Sequence, residues 1–96
     1  MNYHFEWDLK KAKSNLKKHH VSFEQAAEIF IDQLSVSIFD DEHSIDEDRW
    51  ITIGKTKSEN VIVVIHTFKE VNTDQVLIRI ISARKATKNE RKQYSG

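Results

Sequence analysis

The chain of 96 residues is 39% hydrophobic and 31% charged, which accommodates one small domain with a single core and excludes a multi-domain architecture. Disulfides, thiolate nucleophiles and Cys-ligated metal centres are excluded by the absence of cysteine, and glycine-rich phosphate loops by the presence of only Gly54 and Gly96. The net charge of zero averages opposed blocks: five lysines against Glu6 and Asp8 give +3 over residues 1–20, nine acids against Arg49 give −8 over 21–50, and six bases against Glu90 give +5 over 75–96.

Tyr3, Phe5 and Trp7 alternate, which predicts a short edge strand packing its aromatics inward. Asp8 reads as the N-cap of a first helix in which Leu9, Ala12 and Leu16 form an apolar stripe, with Lys10, Lys11, Lys13, Lys17 and Lys18 on the exposed side, ending near His19-His20. Ser22 with Gln25 forms a capping box, so a second helix begins there, buries Phe23, Ala26, Ala27 and Phe30, and ends near Asp32. Strands are predicted over Ser35–Asp40, Arg49–Thr56, Asn60–Phe68 and Val76–Ala83, with Asn72-Thr73-Asp74 a turn. The run Val61-Ile62-Val63-Val64-Ile65 is apolar on both faces and belongs in the middle of the sheet. Thr87 with Glu90 opens a basic terminal helix carrying Arg91, Lys92 and Tyr94. The expected fold is α+β: two N-terminal helices on an antiparallel sheet of about four strands, with a C-terminal helix, in one domain spanning 1–96.

Two segments carry candidate chemistry. Arg79 and Arg84 lie in and at the end of an apolar strand, where an unpaired guanidinium is costly, so each finds a carboxylate such as Glu47 or faces an anion. Five residues apart, they face opposite sides of a regular strand unless a bulge or the strand end reorients one. The acidic stretch Asp40–Arg49 contains His43, a candidate acid or base or simply a loop-fixing histidine, and Glu47, a candidate acid or base or a brace for an arginine. No metal-ligand spacing occurs among His19, His20, His43 and His66, so no metal or other cofactor is expected. No apolar run approaches the ~20 residues of a membrane span, and Met1–Trp7 lacks a signal-peptide layout, so a cytoplasmic protein without membrane contact is expected. The basic ends are expected to meet a polyanion or an acidic partner if the fold brings them together.

Several blocks in one order resemble the BrnT toxin family of bacterial type II toxin–antitoxin modules: Phe5-Glu6-Trp7-Asp8 with Lys11-Ala12 and Asn15; Lys18-His19 before Val21-Ser22-Phe23-Glu24 and Ala26; Asp40, His43-Ser44, Glu47 and Arg49; Ile53-Gly54; and Arg79 to Tyr94. The resemblance implies a RelE-like fold and a metal-independent endoribonuclease that inhibits translation and growth. It also implies neutralisation by a BrnA-like ribbon-helix-helix antitoxin in a heterotetramer of two toxins and two antitoxins, with operator DNA contacted only through the antitoxin. Carried over by position, Arg79 and Arg84 would stabilise the phosphate in the transition state, and Arg91 and Tyr94 would position RNA. The family's arginine after the central strand falls on Lys69, which keeps the charge without the bidentate fork. The competing expectation is a catalytically weak or inactive module that docks an antitoxin or RNA.

Overall fold

A computed structural model describes residues 2–94. Strand β1 (Asn2–Glu6) leads into helices α1 (Leu9–His19) and α2 (Phe23–Glu28), and a 3-10 turn over Ile29–Ile31 prolongs α2. Strands β2 (Val36–Phe39), β3 (Arg49–Lys55), β4 (Val61–Thr67), β5 (Lys69–Asn72) and β6 (Gln75–Lys85) follow, with a second 3-10 turn at Asp41–His43, and α3 (Lys88–Gln93) comes last. The helices start where side-chain acceptors meet otherwise unpaired N–H groups: the Asp8 carboxylate accepts from Lys11, and Ser22/Gln25 and Thr87/Glu90 form reciprocal boxes. His20 ends α1 in the left-handed region at φ 59°, its N–H donating to the Leu16 carbonyl.

Among the described residues the sheet has six strands, in the order β1-β6-β4-β3-β2, with β5 also paired to β6. It corrects the expectation of about four antiparallel strands in two ways. The edge strand β1 runs parallel to β6, in register Tyr3↔Val76 and Phe5↔Ile78, so the sheet is mixed. The added strand β5 is a fully exposed Lys-Glu-Val-Asn with no apolar alternation to reveal it, and it exists because β6 offers it a partner.

On one face of the sheet, Val21, Phe23, Ala26 and Ile29 pack against Ile62, Val64, Val76, Ile78, Ile80 and Ala83. Burying each of the larger side chains contributes about 1.5–3 kcal/mol. Gly54 lets the 3-10 turn lie this close to β3, because a Cβ there would stand 2.7 Å from the Cβ of Ile29. On the other face Ile53 and Val63 receive the ring of Tyr94.

The first helix departs from its predicted packing. Leu9 and Leu16 are 72% and 49% exposed, and the buried residue of α1 is Asn15. The Asn15 amide nitrogen donates to the carbonyls of Val21 (3.0 Å) and Ala83 (2.8 Å), and its oxygen accepts from the Ala83 N–H (3.1 Å). β1 has already ended opposite Arg79, so this side chain does for Ala83 what a neighbouring strand would do.

Beside that junction β6 contains one extra residue. Ile65 is opposite Ser82 and His66 opposite Ile80, which leaves Ile81 unmatched. The bulge puts Ile80 and Ala83 on the same, helix-covered face, so Arg79 and Arg84 share the other face, resolving the parity question in favour of the reoriented case. They remain about 15 Å apart at ~3.3 Å per residue.

Asn15→Ala would strand both backbone groups of Ala83 and the Val21 carbonyl. A loss of about 2–4 kcal/mol in urea unfolding is expected, and a loss under about 1 kcal/mol would show that water replaces the amide at this junction.

Candidate active site

On the face shared by the two arginines, strand register lines up Glu6 (β1), Arg79 (β6), Thr67 (β4) and Arg49 (β3), with the Arg79 N–H donating to the Thr67 hydroxyl at 3.2 Å. One step along the sheet, Leu77 of β6 is opposite Lys69 of β5. All of these but Arg49 line a cleft of about 410 Å³, completed by Phe68 and by Glu47 and Asp48 from the loop before β3.

The turn that brings Lys69 there depends on a buried histidine. His66 is 2% exposed, its Nδ1–H donates to the Thr67 carbonyl (2.8 Å), and its Nε2 accepts from the Thr52 hydroxyl (2.6 Å). Burial holds the His66 pKa below its usual value against the opposing bond to Thr67, so the ring stays neutral in the tautomer this network needs. Phe30 meets the ring edge-on at 4.7 Å. The end of β4 is thereby fixed where the chain passes through Phe68 into β5.

Glu47 lies between two cations: its Oε1 accepts from Arg79 Nη2 and is 3.8 Å from Arg49 Nε. Arg79 is thus oriented by a carboxylate while it lines the cleft, and its side chain is 42% exposed. Both are half-open to water, so the pair adds little stability and mainly restricts the guanidinium. Pairing with Glu47 and facing an anion are therefore compatible for Arg79 in one geometry.

The other sequence-proposed residues lie elsewhere. Arg84 gives both terminal nitrogens to Glu90, at 2.7 and 2.9 Å, and this fork ties α3 to the end of β6. Tyr94 is 5% exposed and donates its hydroxyl to Asp32, which also accepts from the N–H groups of Lys55 (2.8 Å) and Leu34 (3.0 Å). Burial, then the Asp32 contact, push the Tyr94 phenol up to about 12. Burial alone would raise the Asp32 pKa, but the bonds from Tyr94, Lys55 and Leu34 and the charge of Lys55 leave it lowered. Tyr94 is in this way the anchor of the C-terminal segment, and exposed Arg91 stands apart from the cleft. His43 sits on the Asp41–His43 turn with Nδ1 3.0 Å from an Asp40 oxygen, largely exposed and outside the cleft lining.

Of the residues proposed from sequence, the cleft brings together Lys69, Arg79 and Glu47. Sequence reasoning missed Glu6, Thr67 and Asp48, and Arg49 behind them. Only the parallel register of β1, which no local pattern encodes, puts Glu6 beside Arg79. Chemically, the two cations can contact a phosphodiester, and the neighbouring carboxylates can act as proton acceptors.

The fold and cleft define a small α+β domain with a surface cleft in which two cations, Lys69 and Arg79, stand among three carboxylates. Residues 7–90 match the family model described as ribonuclease toxin, BrnT, of type II toxin–antitoxin system, and the chain belongs to that family. No curated protein matches the chain significantly. Membership implies an antitoxin as partner, and among the described residues no helix is long and apolar enough to cross a membrane.

The clamp on α3 is acid-sensitive. The hydrogen bond from Arg84, first, with the Thr87 contacts, lowers Glu90 from 4.5 to about 2 against the effect of burial. A depressed folded-state pKa gives stability that is complete above about 4.5 and is lost as pH falls towards about 2. Between these limits unfolding free energy should fall more steeply for the wild type than for Glu90→Gln in paired urea titrations, and equal slopes would remove the clamp as a source of acid sensitivity.

Proposed function

We propose that the chain is an endoribonuclease toxin that cleaves RNA at the Lys69–Arg79 cleft without a metal ion, inhibiting translation and growth in the cytoplasm until an antitoxin neutralises it. The observation that carries this reading is the convergence of Lys69 and Arg79 in one cleft with free carboxylates, in a chain of a ribonuclease toxin family. Transesterification by the 2′-hydroxyl needs a proton acceptor, stabilisation of a dianionic phosphorane and protonation of the leaving 5′ oxygen. Arg79, held by Glu47, presents fixed donors to the phosphorane, and Lys69 supplies a second positive charge from across the floor. In this reading Glu47 positions Arg79, Arg84 braces α3, and Arg91 meets the RNA backbone beyond the cleft. The overall plan, helices on a mixed sheet with a surface site, is consistent with the RelE-like architecture that the family resemblance implies.

The non-catalytic docking reading is favoured by one observation, that Arg84 and Arg79 both carry carboxylate partners. The two readings part on a single experiment: purified chain with long unstructured RNA in excess chelator, beside Arg79→Ala, followed on a denaturing gel. We expect cleavage by the wild type and a loss of roughly two orders of magnitude or more in Arg79→Ala with its melting transition retained. Equal activity in both would remove Arg79 from catalysis, and absence of cleavage by the wild type would favour docking.

For the partner, the reading is a BrnA-like ribbon-helix-helix antitoxin in a two-plus-two heterotetramer that alone contacts operator DNA. The exposed stripe of Leu9 and Leu16 borders a groove with Trp7, Ala12 and Phe23, and the lysines of α1 have no ion-pair partner among the described residues. Such a surface suits an acidic amphipathic segment. Antitoxin affinity should therefore fall with added salt and weaken in Lys10→Glu/Lys17→Glu. A salt-independent complex, measured by calorimetry, would place the contact elsewhere.

A further inference from the structure

Resting on the ribonuclease reading above, we propose that Glu6 is the general base that removes the proton from the attacking 2′-hydroxyl. The sequence nominated His43 and Glu47 for this task, but His43 lies outside the cleft and the Glu47 oxygen is occupied by Arg79. Two carboxylates remain in the lining, Glu6 and Asp48. Glu6 is the last residue of β1, directly opposite Arg79 in a regular parallel ladder that runs from Asn2 to Glu6, so its backbone is set by paired strands. Asp48 hangs from the loop before β3. A base must be held in productive geometry by a rigid element, and only Glu6 satisfies that condition.

The geometry also orders the substrate. A phosphate seated on the free donors of Arg79 puts its 3′-linked ribose to one side and its 5′-linked ribose to the other. With Lys69 on the β5 side and Glu6 on the β1 side, the attacking 2′-hydroxyl belongs over β1. Glu6 forms no ion pair or side-chain hydrogen bond among the described residues, so its carboxylate is available to accept. In the step, the proton passes to Glu6 as the bond from O2′ to phosphorus forms and the bond from phosphorus to O5′ breaks. The departing oxygen takes a proton from water in the open cleft, and the hydroxide left behind recovers the proton from Glu6. The products are a 2′,3′-cyclic phosphate and a 5′-hydroxyl end.

The groups around Glu6 whose charge bears on its pH behaviour are His4 on its own strand, Asp8 at the start of α1, Arg79 on β6, Lys69 on β5, and Glu47 and Asp48 from the loop. The experiment is the rate of cleavage of a short RNA against pH, in chelator, for the wild type, Glu6→Gln, Glu6→Asp, Glu6→Ala, Asp48→Asn, His4→Ala and Arg79→Ala, each checked for an unchanged melting transition. The wild-type rate is expected to rise with pH and level off. Glu6→Gln should be slower by roughly 10²–10⁴-fold and lose the rising limb. Glu6→Asp should keep that limb at a lower rate, added formate should partly restore Glu6→Ala, and Asp48→Asn and His4→Ala should keep the limb.

A rate for Glu6→Gln within about threefold of wild type, or a limb that vanishes in Asp48→Asn or His4→Ala instead, would overturn the assignment while leaving the ribonuclease reading intact. If the wild type does not cleave, or Arg79→Ala cleaves as fast, the cleft reading itself fails and the assignment falls with it.

Discussion

The side chain of Asn15 takes both backbone groups of Ala83, and the position of the cleft depends on that junction. Among the described residues β6 is the longest strand and the only one shared by β1, β4 and β5, so any shift in its register moves every functional side chain it carries. With Ile81 looped out beside the junction, the half of β6 paired with β1 and β5 and the half paired with β4 both keep their apolar residues towards α1 and α2. Without the extra residue, one of the halves would turn its polar face into the core. The looped-out Ile81 thus allows one strand to serve two neighbourhoods, with a buried amide from a lysine-rich helix bonded to the strand just beyond it.

The electrostatic layout follows from that strand. The lysines of α1 lie on the helix-covered side of the sheet, whereas α3 and both arginines of β6 lie on the other side, so the two basic blocks do not converge. Zero net charge therefore hides two separated groups of cations with different surroundings. One is a helix with exposed leucines and no ion pairs among the described residues; the other is a cleft where acids sit among the cations. Such separation is what a protein needs if it engages an acidic protein and a nucleic acid on different surfaces.

Within the cleft side, the carboxylates do unlike work. Glu90 satisfies both terminal nitrogens of Arg84 and ties a short helix to the sheet, and Asp32 holds Tyr94 over Ile53 and Val63. Glu47 takes one corner of Arg79 and leaves the rest presented. The same residue type is a structural clasp in one place and an orienting group in another, according to how much of its partner it uses. A pre-oriented cation loses less freedom when a phosphate arrives than a mobile one would, which is why a restrained Arg79 is better suited to the cleft than a fully solvated one.

Local chemistry in the sequence determined the helix starts, since Asp8, Ser22 with Gln25, and Thr87 with Glu90 act within one turn, and it determined the central β4, whose run of five apolar residues leaves no solvated face. It also singles out Arg79, because a guanidinium in an apolar strand demands a partner, and the acidic stretch that contains Glu47 supplies one. Only the tertiary structure decided that Leu9 and Leu16 stay outside while Asn15 goes in, because two of the amide's three bonds go to a strand 68 residues away. It alone decided that Tyr94 is an anchor, that Arg84 pairs with Glu90, and that the parallel β1 carries Glu6 to Arg79. Strand register and bulges are set by pairings between distant segments, and a pattern read along the chain contains the period of each strand but not its partner.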